Sequence, residues 1–206
     1  MDYEYTVFLS YNRRLQVDAS GEQSMSAVGE WVHDVLHPYL EQWLVEFVPD
    51  ARVAFDGKLP QGTRSESGVR DLLQKSRCML VVFSVPYFSA PWCRAEWHSM
   101  LKREKLAGCK GELVVPLVFA DGEHFDEEAK QRIQGRDAHF MQPYTTLGAV
   151  NKDHVSFPDF KKEIRRLCAQ IEVCARNAPP WQSDFRWESP EPLAAELPFS
   201  APSLQS

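Results

Sequence analysis

The 206-residue chain contains no apolar run that approaches a membrane span, which takes about 20 consecutive apolar residues. Its first residues, MDYEYTVFLS, carry acidic groups and pass straight into a strand pattern. The basic region and long apolar core of a signal peptide are missing there. Dense Lys/Arg tracts are also missing, and the net charge is −6, which argues against a nucleic-acid surface. The five cysteines (Cys78, Cys93, Cys109, Cys168, Cys174) are odd in number and form no Cys-x-x-Cys pair. They read as reduced packing residues of a cytoplasmic protein. Neither Gly-x-Gly-x-x-Gly nor Gly-x-x-x-x-Gly-Lys-Ser/Thr occurs, which removes the usual dinucleotide and nucleoside-triphosphate loops. No repeat recurs at a fixed period.

Catalytic sets are scarce too. His33 and His37 stand four apart, close to a metal-ligand spacing. No third ligand accompanies them, and two ligands neither close nor activate a site. No Cys–His or Ser–His–Asp set assembles, so nucleophilic hydrolysis has no support. A phospho-receiver needs acidic residues after its first strand and an aspartate ending its third. Asn12-Arg13 and Ser84 occupy those places.

What is present is an ordinary core-forming composition, 44% hydrophobic and 25% charged, in one domain with a tail. Tyr5–Ser10 reads as the first strand. A polar segment follows, Val17 to Ser24, and then a long helix with an apolar stripe from Val28 through Trp31, Val35 and Leu40 to Val48. That stripe is either a dimer seam or a face packed on a sheet. Pro38 is expected to kink or split the helix. Arg52–Asp56 is the second strand, and a loop follows with turn formers at Gly57, Pro60 and Gly62. Leu113–Ala120 is the fourth strand, and Pro116, which costs it a ladder bond, places it near an edge or gives it a bulge. A short helix is expected within 121–134, His139–Met141 as a last short strand, and Phe157 to Cys174 as a final amphipathic helix. The alternation argues for a parallel sheet covered on both faces, the flavodoxin-like architecture. The domain is expected to occupy residues 1–176. From Asn177 to Ser206, prolines crowd around Trp181, Phe185 and Trp187. Such a segment builds no core of its own. It is partly ordered, drapes over the domain on its aromatics, or docks a partner.

The stretch from Cys78 to Lys105 organises the rest. Met79–Phe83 is an apolar run that reads as a strand buried on both faces. Ser84, a loop punctuated by Pro86 and Pro91, and a helix come next. Cys93, Trp97, Met100 and Leu101 share one face of that helix. Ser89 is expected to cap it, with Pro91 in its first turn. Glu96 falls in the second turn, off the apolar face. There it feels the positive end of the helix dipole and leans back toward the carboxyl end of the strand, where open α/β sheets bind ligands. Two readings stand: a solvated surface glutamate, or a site carboxylate.

One carboxylate beside arginines, a tyrosine and a tryptophan suffices for one class of reaction. Cleaving the N-glycosidic bond of NAD+ releases neutral nicotinamide, so the leaving group needs no general acid. A fixed carboxylate stabilises the ribosyl oxocarbenium transition state or holds the ribose hydroxyls. This is glycosidase logic with one of its two carboxylates omitted. Arginines would meet the pyrophosphate in bidentate fashion.

At this point three segments resemble a known family. YTVFLSYNR (5–13) looks like the first box of the Toll/interleukin receptor (TIR) domain. VAFDGKLPQG (53–62) looks like its second strand and BB loop. Ser84 to Glu96, ending SAPWCRAE, looks like its Trp-Cys-x-x-Glu box. Together they span about residues 3–175 and most resemble bacterial TIR proteins. The resemblance implies a five-stranded parallel flavodoxin-like sheet with helices on both faces. It implies NAD+ as substrate, no further cofactor and no metal, and cleavage to nicotinamide and ADP-ribose or a cyclic or transferred product. It implies Glu96 as the catalytic glutamate. Around it, Ser10, Tyr11, Asn12, Arg13, Asp56, Leu59, Ser84, Trp92 and Cys93 would line the nucleotide pocket. TIR–TIR self-association, a separate sensor or effector protein and a role in anti-phage defence are further expectations. The first helix is longer than in the family, and the BB loop is less acidic and less aromatic. The second reading is a non-catalytic TIR adaptor, motivated by the Val28–Val48 stripe and the tail, with Glu96 a surface residue.

Overall fold

The computed structural model describes residues 2–13, 15–17, 23–55, 66–109, 113–122, 125–146 and 150–190. Strands β1 (Tyr5–Tyr11), β4 (Val53–Ala54), β5 (Ser76–Phe83) and β6 (Val114–Val118) form one parallel sheet in the order β4-β1-β5-β6. Both faces are covered, which is why the strands read as continuous apolar runs rather than alternating ones. Val7, Leu9 and Tyr11 of β1 and Cys78, Leu80 and Val82 of β5 face one core. Phe8, Met79, Val81 and Phe83 face the other. The period of two is a strand signature, and here each phase finds its own helical layer.

The first layer holds α1 (Ala27–Trp31), a π-helical turn over Val32–Leu36, α2 (His37–Leu44) and α6 (Phe157–Arg176). Val28, Trp31, Val32, Val35, Leu36, Leu40 and Leu44 are all buried against the sheet and α6. Each such side chain contributes about 1.5–3 kcal/mol on burial, so these seven positions of the stripe are used in packing on the sheet and α6. The helix ends at Leu44, and turns carry the chain past Val48. The helix divides where Pro38 was expected to interrupt it: the π segment ends at Leu36, and Pro38 falls in the first turn of α2. A proline ring clashes with the carbonyl four residues before it, here that of Asp34. The π turns supply the room, with the His37 N–H reaching back to Val32 O.

The second layer holds α3 (Glu66–Gln74), α4 (Pro91–Ala107) and α5 (Glu127–Arg136). Asp126 caps α5 by accepting from Ala129 N, 2.7 Å away, and its other oxygen accepts from the Trp97 indole at 3.0 Å. Gly108 ends α4 at φ 72°, a left-handed value that favours glycine.

Several expectations change. The sheet has four strands among the described residues, and β6 is an edge, as Pro116 suggested. His139–Met141 lies in turns rather than a strand. It still runs beside β6, where the Val118 N–H donates to Ala138 O at 2.9 Å. The polar segment after β1 carries a small antiparallel hairpin, β2 (Leu15–Val17) with β3 (Gln23–Met25). The segment from Ala178 to Pro190 drapes over the second layer. Tyr3 OH donates to Pro179 O at 2.8 Å, and Gln74 donates to the carbonyls of Gln182 and Ser183. Phe185 is buried there, Trp187 Nε1 donates to Glu66 Oε1 at 2.7 Å, and Lys102 pairs with Glu188. Among the described residues no helix is long and apolar enough to cross a membrane.

Candidate active site

The start of α4 decides where Glu96 points. Tyr87 N–H donates to Ser84 O at 2.9 Å, Ser89 N–H to Pro86 O and Ala90 N–H to Tyr87 O at 3.2 Å, so residues 84–90 form successive turns. The cap is Ala90, extended at φ −88° and ψ 119°, and not Ser89. A residue before proline avoids the helical region, so Pro91 forces the extended residue to be 90 and the helix to begin at 91. Glu96 then sits in the second turn.

It is not a solvated surface group: only 1% of it is exposed. The Ser10 hydroxyl, at the end of β1, donates to Glu96 Oε2 at 2.6 Å. The Tyr87 phenol lies 2.7 Å from the same Ser10 oxygen. Two more contacts tie the end of β1 to this loop and helix. Asn12 Nδ2 donates to Pro86 O at 2.7 Å, and the Cys93 thiol faces Tyr11 O at 3.5 Å. A carboxylate that is dry and hydrogen-bonded is more effective electrostatically than one in water.

The sequence-derived residues separate into groups. Ser10, Tyr11, Asn12, Ser84 and Cys93 are buried and gather with Glu96 at the carboxyl ends of β1 and β5. Ser84 Oγ is buried with no hydrogen-bond partner among the described residues, an uncommon condition that calls for an explanation. Tyr11 stacks on Phe55 at 5.8 Å. Arg13 is half-buried, and Trp92 packs at the margin of the second-layer core. Asp56 and Leu59 lie outside the described residues. Tyr87 was missed. Its signal was its place three residues after Ser84, in a loop whose prolines hold it close to the strand ends.

Other candidates have ordinary roles. His37 stacks on Phe55 at 4.2 Å with Nε2 3.3 Å from Glu41, and His33 Nδ1 lies 2.8 Å from Asp34. No group of three or more His, Cys, Asp and Glu is placed to hold a metal among the described residues. Burial pushes the Cys78 thiol well up and the Cys168 thiol up to about 12, so neither is a nucleophile at neutral pH.

Against this geometry, a TIR domain family model matches residues 7–147. The chain belongs to the TIR domain family. Among solved structures, it is similar to the TIR domains in a structure of the activated Roq1 resistosome directly recognizing the pathogen effector XopQ. The identity is 20% and the TM-score 0.38, over 85% of this chain and 86% of that one. No curated protein matches it. In this TIR domain, the Trp-Cys-x-x-Glu box opens α4 at Trp92-Cys93 and ends in the buried Glu96.

Proposed function

We propose that this TIR domain cleaves the nicotinamide–ribose bond of NAD+, with Glu96 as the catalytic carboxylate. The observation that carries the reading is a buried glutamate at the carboxyl ends of β1 and β5, bonded to Ser10. As the glycosidic bond breaks, its electron pair stays on the nicotinamide nitrogen, which becomes neutral. Positive charge develops on the ribose, and the carboxylate stabilises it or fixes the ribose hydroxyls. Water, or a nucleophile on the substrate or a second acceptor, then bonds to the anomeric carbon, and the proton a hydroxyl nucleophile loses passes to solvent. The products are nicotinamide with ADP-ribose or with a cyclic or transferred ADP-ribose. Self-association of TIR domains completes the active state, and the signal serves anti-phage defence. Most of the stripe that motivated an adaptor role, from Val28 to Leu44, packs into the core.

The test is nicotinamide release by the wild-type chain, free and as a tethered tandem that forces association. Release from the tandem, lost in Glu96→Ala, supports the enzyme. A correctly folded tandem with no release overturns it in favour of an adaptor.

A further inference from the structure

We infer that Ser10 and Tyr87 are positioning residues that hold the Glu96 carboxylate through a directed chain of hydroxyls, Tyr87 OH to Ser10 Oγ to Glu96 Oε2. The inference rests on the reading of Glu96 as the catalytic group, and it reassigns Ser10 from the substrate-lining set. Its basis is proton counting. An ionised carboxylate only accepts, so the single Ser10 proton goes to Glu96 across 2.6 Å. The Ser10 oxygen can then only accept across the 2.7 Å to Tyr87, so the phenol donates. The direction of both bonds follows from the charge at one end.

The chain joins three parts of the fold: the end of β1, the loop 84–90, and the second turn of α4. Its far end is rigid. Tyr87 is fully buried, with its ring edge-on to Phe83 at 5.3 Å and to Phe88 at 5.1 Å. Its own N–H is bonded to Ser84 O. Packing therefore locks the tyrosine, the tyrosine orients the serine, and the serine holds one carboxylate oxygen. Support of this kind keeps a reacting group within a fraction of an ångström of productive geometry. Along this chain Tyr87 reaches the carboxylate through Ser10, so the inference requires its effect to vanish when Ser10 is removed.

The experiment is a double-mutant cycle on the full chain: wild type, Ser10→Ala, Tyr87→Phe and the double variant. Each is read in two ways. The first is steady-state nicotinamide release by the tethered tandem. Ser10→Ala is expected to lower kcat about 10- to 100-fold and Tyr87→Phe about 3- to 10-fold, with KM changed less than about threefold. The double variant matches Ser10→Ala alone. The second readout needs no turnover: the side-chain carboxyl 13C resonance of Glu96 at pH 7, assigned by its loss in Glu96→Gln. It moves in Ser10→Ala, moves less in Tyr87→Phe, and in the double variant coincides with Ser10→Ala. A resonance unmoved by Ser10→Ala, or Tyr87 and Ser10 effects that simply add, overturns the inference. Absence of wild-type release overturns the catalytic reading instead, and the resonance still decides whether the chain of hydroxyls exists.

Discussion

Arg132 grips Glu104 with both terminal nitrogens of its guanidinium, Nη1 3.0 Å from Oε1 and Nη2 2.5 Å from Oε2. Glu104 is buried, and its Oε1 also accepts from Leu113 N at 2.8 Å. One carboxylate thus joins the end of α4 to the start of β6 and to α5.

Removing that carboxylate leaves a buried backbone N–H without its acceptor and takes from a largely covered guanidinium its buried partner, with the exposed Glu128 remaining at 2.8 Å. Glu104→Ala is expected to lower stability by about 3–5 kcal/mol. Urea unfolding measures it. The exposed Glu127–Lys130 pair, at 3.0 Å, is the internal control, and Glu127→Ala is expected to change stability by about 0.5 kcal/mol or less. Equal effects at the two sites would contradict the burial argument.

The draped C-terminal segment is held unevenly. Phe185 is buried in the second-layer core, whereas Trp187 bonds its indole to Glu66 near the surface. Phe185→Ala is expected to cost about 2–4 kcal/mol, as for a large core side chain cut back to alanine. Trp187→Phe, which loses one hydrogen bond at an exposed site, is expected to cost about 1 kcal/mol or less. Thermal unfolding of the two variants checks the order. A reversed order would place the main anchor at Trp187.

Burial pushes the Cys168 thiol up to about 12 from an ordinary 9.0. Between those values the unfolded chain has released the proton and the folded chain retains it. The unfolded state binds fewer protons there, so stability falls as pH rises from 9 toward about 12. The slope from this thiol approaches about 1.4 kcal/mol per pH unit. Unfolding curves at pH 8 and pH 10.5 for the wild type and Cys168→Ala test the sign. The wild type should lose more stability than the variant over that interval. Equal losses would contradict the shift.

Most of the architecture was legible because it rests on local periodicity. Met79–Phe83 announced a strand buried twice over, and Cys93, Trp97 and Met100 announced the buried face of α4. The burial of Glu96 was not legible. Nothing in the α4 pattern says that the end of β1, 86 residues earlier, covers that turn and supplies a hydroxyl. The same limit hid Tyr87, whose partner lies 77 residues away. The Ser89 cap failed for a local reason that favours Ala90: the constraint that Pro91 places on the residue before it outweighs the capping preference of serine. The Val28–Val48 stripe was visible, but its partner was not. A periodic apolar face looks the same whether a sheet or a second molecule covers it.

The measurement that tests the account most directly is nicotinamide release from NAD+ by the tethered tandem, wild type against Glu96→Gln, with both confirmed folded by circular dichroism. Glutamine keeps the size of the side chain and one acceptor oxygen for Ser10, and it removes the charge. The account predicts release by the wild type and a loss of at least about 100-fold in the variant, the scale expected when a preorganised charge at the reacting centre is removed. Equal release by the two proteins would contradict it.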